Sequence, residues 1–229
     1  MHIGQVYPED AYFLSRFGSV AQSPPKRAIK ALKQYICWTY DRRAQEHHFG
    51  GRGATSLDQP PIDEIQTMLQ APKLELPPSL IAFVDADLNV QSRYCVYVFL
   101  NHGCVFAASR LQHSVAVDIT ASEAFGFSIA AIMTEIVRGY LEDLGMASAT
   151  AQATPIVTDN DATMRIASDA ASAKRALHIL RRLAHARELK TRGEIAALHL
   201  AGLRNPANIG TKYVTANEYL TAARLLQNA

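Results

Sequence analysis

The chain has 229 residues, 48% of them apolar and 19% charged, with a formal net charge of +2. That length holds one large domain, or one ordinary domain with an appendage, and the charge is too small to imply nucleic acid by itself. No apolar run approaches the length of a membrane-spanning helix, and the opening MHIGQVYPED has neither the basic start nor the apolar core of a signal peptide.

Three cysteines (Cys37, Cys95 and Cys104) have no metal-ligand spacing, and an odd count argues against a disulfide framework. Reduced thiols are expected, in the cytoplasm (a virus-like particle included) or the nucleus rather than outside the cell. Residues 1–50 read as helical. Pro24 and Pro25 precede a run from Lys26 to Tyr40 in which Ile29, Leu32 and Ile36 recur at helical spacing, with Lys26, Lys30 and Lys33 on the other side. This pattern predicts an amphipathic helix with a solvated basic face. Residues 47–79 are rich in glycine and proline around a short helical piece, Ile62 to Leu69, and read as a linker.

From Leu80 the pattern turns to β. LIAFVDADL (80–88) is an apolar strand running into Asp85, with a second aspartate at Asp87. A buried bare carboxylate is costly unless a cation or several donors meet it, so this strand end suits a metal. Arg93 to Leu100, a turn around Asn101 to Gly103, and CVFAASR then form a hairpin, giving three consecutive antiparallel strands. Thr120 to Gly145 is a long helix, with Gly145 as its stop. Glu123 lies three residues after Thr120 and fits a capping box as readily as a catalytic role.

TPIVT (154–158) is a short strand ending at Asp159-Asn160-Asp161, where a further helix opens. Turn and N-cap duty is a strong reading for Asp161 and a weaker one for Asp159, which directly follows the strand. Ala171 to Arg192 is helical, with Leu177, Leu180 and Ala184 as its apolar stripe. Lys174, His178, Arg181, Arg182 and His185 share a basic face dense enough to consider phosphate contacts. Ile195 to Leu200 is a fifth strand, and Asn205-Pro206-Ala207-Asn208 begins a helical C-terminal region. Parallel strands joined by a helix would bring Asp85 and Asp159 to the sheet ends, near Glu123.

The order of these pieces resembles a ribonuclease H domain of the copia-type LTR retrotransposon polyproteins. FVDAD (83–87) resembles the first-strand motif, TASEAFG (120–126) the S-T-E-A-E helix start, and LEDLG (141–145) the end of the same helix. VTDNDA (157–162) resembles C-D-N-x-x-A, and LHLAGLRNPANIGTK (198–212) the closing H-V-x…N-P-A-D-I-x-T-K. His178-Ile179, Arg182 and Arg187-Glu188 match part of the helix between those two motifs. YPEDAYFLSRF (7–17) and KALKQYICWTY (30–40) resemble the thumb and connection of the preceding reverse transcriptase.

The resemblance implies an α/β ribonuclease H-like fold: a five-stranded mixed sheet, three strands antiparallel and then parallel ones, flanked by helices. It implies three segments, a helical reverse transcriptase remnant at 1–46, the linker at 47–79 and a ribonuclease H-like domain at 80–229. It maps the catalytic positions to Asp85, Glu123, Asp159 and Asn208, and the metal ligands to the first three. Lys174, His178, Arg181 and Arg182 would hold phosphates. Implied cofactors are Mg²⁺ or Mn²⁺, two ions per site in the family. The implied partners are an RNA–DNA hybrid and the other polyprotein domains, whose polymerase palm has no counterpart here; no membrane is implied. One departure stands out: where the family has a fourth carboxylate, this chain has Asn208. Asp161 and Glu218 are conceivable substitutes. The alternative reading is an inactive nucleic-acid-binding or structural remnant; a third is another nuclease or transposase of the same fold.

Overall fold

The computed structural model describes residues 10–20, 25–41, 80–101, 103–168 and 177–227. The linker at 47–79 and Lys174 lie outside the described residues. Two helices come first, α1 (Ala11–Val20) and α2 (Lys26–Asp41). Strands β1 (Leu80–Ala86), β2 (Arg93–Leu100) and β3 (Gly103–Leu111) follow. The long helix α3 (Ile119–Asp143) and a short turn of helix, α4 (Ala147–Thr150), lead to β4 (Thr154–Thr158). Then come α5 (Asp161–Ser168), α6 (Leu177–Arg182), α7 (Ala184–Thr191) and β5 (Ile195–His199). Two 3₁₀ turns, Gly202–Arg204 and Pro206–Gly210, precede α8 (Ala216–Gln227).

The five strands form one sheet in the order β3-β2-β1-β4-β5. β1 pairs antiparallel with β2 and β2 with β3, whereas β4 lies parallel to β1 and β5 parallel to β4. This is the α/β, five-stranded mixed sheet flanked by helices expected of a ribonuclease H-like fold. Every residue of β1 is buried, so both its faces are covered. Period-2 alternation sends Leu80, Ala82, Val84 and Ala86 into a core with Phe127, Ala130 and Ala131 of α3 and with Ile179, Leu183 and Leu189. Ile81 and Phe83 face the other way, onto Ile209 and onto Ala222 and Leu226 of α8. Asp85 has the same parity as Ile81 and Phe83. It therefore points toward the C-terminal segment.

Several sequence expectations change. The chain does contain a helix long and apolar enough to cross a membrane by length and composition, α3, but half of that stretch is buried inside the fold. α3 is the core helix: Gly126 lets it approach β1 so closely that a Cβ there would sit 3.2 Å from Val84 Cγ2. The stripe of α2 is not covered by described residues, for Ile29, Leu32 and Ile36 are 42%, 38% and 57% exposed. The 171–192 helix is interrupted at Leu183 among its described residues. Its buried residues are Ile179, Leu183, Ala186 and Leu189; of the expected stripe Leu180 packs partly buried on the same core, whereas Ala184 is exposed and Leu177 is 63% exposed. His185 leaves the proposed phosphate face to pair with Glu135, Nε2 to Oε2 at 2.8 Å.

The C-terminal segment is seated tightly on the sheet. Asn205 Nδ2 donates to Val84 O at 2.8 Å, and its Oδ1 accepts from Ala207 N at 3.0 Å. Ser109 Oγ donates to Gly210 O at 2.6 Å. A Cβ on Gly210 would lie 2.1 Å from Cys95 Sγ and 2.6 Å from Cys95 Cβ, and Cys95 is fully buried. Gly210→Ala is therefore expected to cost about 3 kcal/mol by overpacking. A thermal melt should show a drop of roughly 10 °C; an unchanged melt would mean this contact yields freely.

Candidate metal centre

Asp85 stands near the end of β1 and is 2% exposed; Glu123 stands in the second turn of α3 and is 4% exposed. Asp159 follows β4 directly and is partly exposed. Each offers a carboxylate oxygen, and the three oxygens lie within 4.8 Å of one another. Strand parity, the β1–β4 parallel pairing and the anchoring of α3 bring them together. That anchoring is specific: Ser122 Oγ donates to Asp87 O, and Gln112 Nε2 donates to Ser122 Oγ at 2.6 Å.

The capping-box reading of Glu123 is overturned. The N-cap is Asp118, whose Oδ1 accepts from Ala121 N at 2.7 Å, and Glu123 turns inward instead. Asp161 is not the cap of α5 either. Asn160 Oδ1 accepts from Thr163 N at 2.8 Å, and Asp161 pairs on the surface with Arg165 at 2.7 Å. Asp87 is taken up at the hairpin, where it accepts from Arg93 N.

Carboxyl groups this close and this buried resist ionising together. Burial pushes Asp85 up to about 6, with Asp159 and Asp87 adding to the rise, against the pull of Lys212 and a hydrogen bond from Thr211. Burial pushes Glu123 up to about 9, reinforced by Asp85 and Asp159 and opposed by a hydrogen bond from the Ala86 backbone. Glu123 Oε2 is buried with no hydrogen-bond partner. Such an atom is expensive unless something meets it, and hard carboxylate oxygens this close together suit a divalent cation. The residues present fit one.

Asn208 sits in the second 3₁₀ turn beside the cluster. Its Nδ2 donates to Gly202 O, and its Oδ1 is buried without a partner. Gly202 faces both residues: a Cβ there would be 2.5 Å from Asp159 Oδ2 and 3.7 Å from Asn208 Nδ2. His199 Nε2 donates to Asp159 O at 3.1 Å, which ties the Asp159 backbone to the end of β5. Of the conceivable substitutes for a fourth carboxylate, Asp161 holds Arg165 and Glu218 accepts from Thr215 N at 2.7 Å as a helix cap.

Two residues with no role assigned from sequence complete the surroundings. Thr211 Oγ1 donates to Asp85 Oδ2, and Lys212 Nζ lies 3.8 Å from the same oxygen. The signal was present in the T-K that closes the last motif, but no pairing with Asp85 can be read from residues 126 positions apart. Of the expected phosphate-binding residues, His178 and Arg182 line a cleft of about 360 Å³ with Ser114, Val117 and Ala121 at the start of α3. The Arg182 guanidinium stacks over Phe125 at 4.7 Å and reaches Ser114 Oγ at 3.3 Å. Arg181 is exposed on the same short helix. A larger cleft of about 580 Å³, walled by Tyr12, Tyr35, Tyr213 and Tyr219, meets the centre at Lys212. Tyr35 and Tyr219 both donate to the buried Asp10, at 3.0 and 2.9 Å, which joins α2 and α8 across it.

No protein-family model matches the chain, and no curated protein matches it. Solved structures do. LC11-RNase H1, isolated from compost by a metagenomic approach, is 11% identical over 58% of this chain and 93% of its own, with a TM-score of 0.47. The N-terminal RNase H domain of rv2228c from Mycobacterium tuberculosis is 14% identical over 63% of this chain and 94% of its own, with a TM-score of 0.42. The prototype foamy virus protease-reverse transcriptase is 11% identical over 71% of this chain and 26% of its own, with a TM-score of 0.38.

Proposed function

We propose that this chain is a divalent-metal-dependent, ribonuclease H-type hydrolase that cuts the RNA strand of RNA–DNA hybrids. The observation that carries the reading is the trio Asp85, Glu123 and Asp159, the first two buried, with a partnerless oxygen on Glu123. Mg²⁺ or Mn²⁺ bound there would supply the Lewis acidity that activates a water and stabilises the leaving oxygen at phosphorus. The chain's own residues do the rest. Thr211 and the Ala86 backbone orient Asp85 and Glu123. Lys212 adds positive charge suited to a phosphate oxygen, and Gly202 leaves space against Asp159. His178, Arg181 and Arg182 would hold the hybrid by its phosphates without reading sequence.

The order of the motifs supports a role in copia-type retroelement replication, with the polymerase domains of the polyprotein as partners in the cytoplasm, a virus-like particle or the nucleus. The second reading, a binding remnant without turnover, is favoured by Asn208. A labelled hybrid with Mg²⁺ or Mn²⁺ separates them. Cleavage of the RNA strand, strengthened by Asn208→Asp, is expected. Absence of cleavage in both proteins, with binding intact, would leave only the second. Hybrid binding should also weaken with salt, and Arg182→Ala should flatten that dependence by about one phosphate contact. An unchanged slope would remove Arg182 from the interface.

A further inference from the structure

We infer that the cleft between the two N-terminal helices and the C-terminal segment is a second nucleic-acid site, which takes unpaired nucleotides of the strand being cut by stacking their bases on its aromatic wall. The inference goes beyond the cleavage reading and rests on it for one thing, the identity of the strand that passes Lys212. The cleft holds about 580 Å³, and Tyr12, Phe13, Tyr35, Tyr213 and Tyr219 wall it. That volume is in the range that seats a nucleotide-sized group. Two of the rings are open to solvent, Tyr213 at 79% and Phe13 at 41% exposed. The others hold them in place. Tyr213 stands edge-on to Tyr12, with centroids 5.5 Å apart and planes at 85°. Phe13 stacks on Tyr35 at 6.3 Å and 20°. Behind them Tyr35 and Tyr219 are pinned by Asp10, and Tyr12 by the Arg93 guanidinium 5.6 Å from its ring. Rings fixed from behind lose little freedom when a ligand covers their outer faces.

Charge and position select the occupant. Lys212 lines the cleft, and its Nζ lies 3.8 Å from Asp85 Oδ2, so one ammonium edges both the cleft and the carboxylate centre. Arg93, 2% exposed, adds a second positive charge behind Tyr12, and its Nη2 has no hydrogen-bond partner among the described residues. The carboxylates at hand are engaged, Asp10 by the hydroxyls of Tyr35 and Tyr219 and Glu218 by Thr215 N. Cationic charge continuous with the centre suits a phosphate backbone, and aromatic faces suit bases of any sequence. A strand with a phosphate at the carboxylates passes Lys212, and its neighbouring unpaired bases reach the tyrosines. Bases stacked in a duplex present only their edges, so the wall selects unpaired ones.

Fluorescence anisotropy of a labelled oligouridylate on the full, metal-free chain tests this, with hybrid cleavage in Mn²⁺ read on the same preparation. Binding is expected, and Tyr213→Ala should weaken it by about tenfold. The slope of affinity against salt should stay as it was, because no ion pair is lost. Tyr213→Phe keeps the ring and should bind like the unaltered chain. Both changes fall on an exposed side chain, and a melt confirms that the variants fold. No binding of the oligouridylate, or binding that Tyr213→Ala leaves intact, would overturn the inference; cleavage by the same preparation would leave the nuclease reading standing. Binding lost in Tyr213→Ala, from a chain that cuts no hybrid, would uphold the cleft and sink the nuclease reading instead. A loss in Tyr213→Phe equal to that in Tyr213→Ala would rule out stacking and overturn it. Self-association in sedimentation that Tyr213→Ala abolishes would assign the cleft to a second copy of the chain, and would overturn it as well.

Discussion

Asp85→Asn is expected to abolish hybrid cleavage while leaving the metal-free protein as stable as before, or more so. Asp85 is 2% exposed and shares its centre with Glu123 and Asp159. Losing one charged ligand removes several kcal/mol of metal-centred stabilisation, on the order of 10³-fold in rate. In the metal-free chain the same change relieves a buried charge that burial, Asp159 and Asp87 all make unfavourable. An asparagine carbonyl can still accept from Thr211, so the local hydrogen bond survives. Glu123→Gln should behave alike. A rate assay and a melt on the same samples check both halves. Loss of activity together with a lowered melt would instead make Asp85 a folding residue, and full activity would remove it from the site.

The second large effect is an inverted dependence of metal-free stability on pH. Folding raises Asp85 to about 6 and Glu123 to about 9, first through burial and then through like charges. Unfolded carboxyls titrate near 4. Across the window from about pH 4 up to those folded values, the native chain therefore holds protons that the unfolded chain has released. Stability from these two groups is greatest at the acid end and falls as the pH rises, toward 6 for Asp85 and toward 9 for Glu123. A divalent cation competes with those protons. Adding Mn²⁺ should therefore raise the melting temperature most at the alkaline end, by roughly 2.7 kcal/mol at a hundredfold excess over the dissociation constant. Melts at pH 5, 7 and 9, with and without Mn²⁺, measure it. Glu123→Gln should flatten the metal-free slope; a slope that this variant leaves intact would assign the pH dependence to other groups.

Elements with strong local patterns are legible in the sequence alone. The β-branched run at 93–100, the turn at Asn101 and the short TPIVT strand lie where their composition placed them. Gly145, at φ +76, stops α3 as its type suggested. Faces were harder to read. In α6 and α7 Leu180 packs against the core as its periodicity suggested, but Leu177 and Ala184 are exposed, and packing against α3 buries Ile179, Leu183 and Ala186 instead. The capping box at Thr120 and Glu123 failed for a similar reason. Asp118, two residues earlier, supplies a better cap, which frees Glu123 to turn inward.

Local pattern was enough to give five strands, with carboxylates at a strand end, near a helix start and at a second strand end, while the mixed order of the sheet was what the resemblance implied. Hydrophobic alternation and turn chemistry are local, so they survive in one dimension. How bare those carboxylates are, and what answers their charge, came from packing in three dimensions. Burial of Glu123 Oε2, the donors on Asp85 from Thr211 and Lys212, and the packing of Gly202 against Asp159 join positions far apart in the chain. Desolvation and Coulomb interactions depend on distance through space, and sequence separation does not report it.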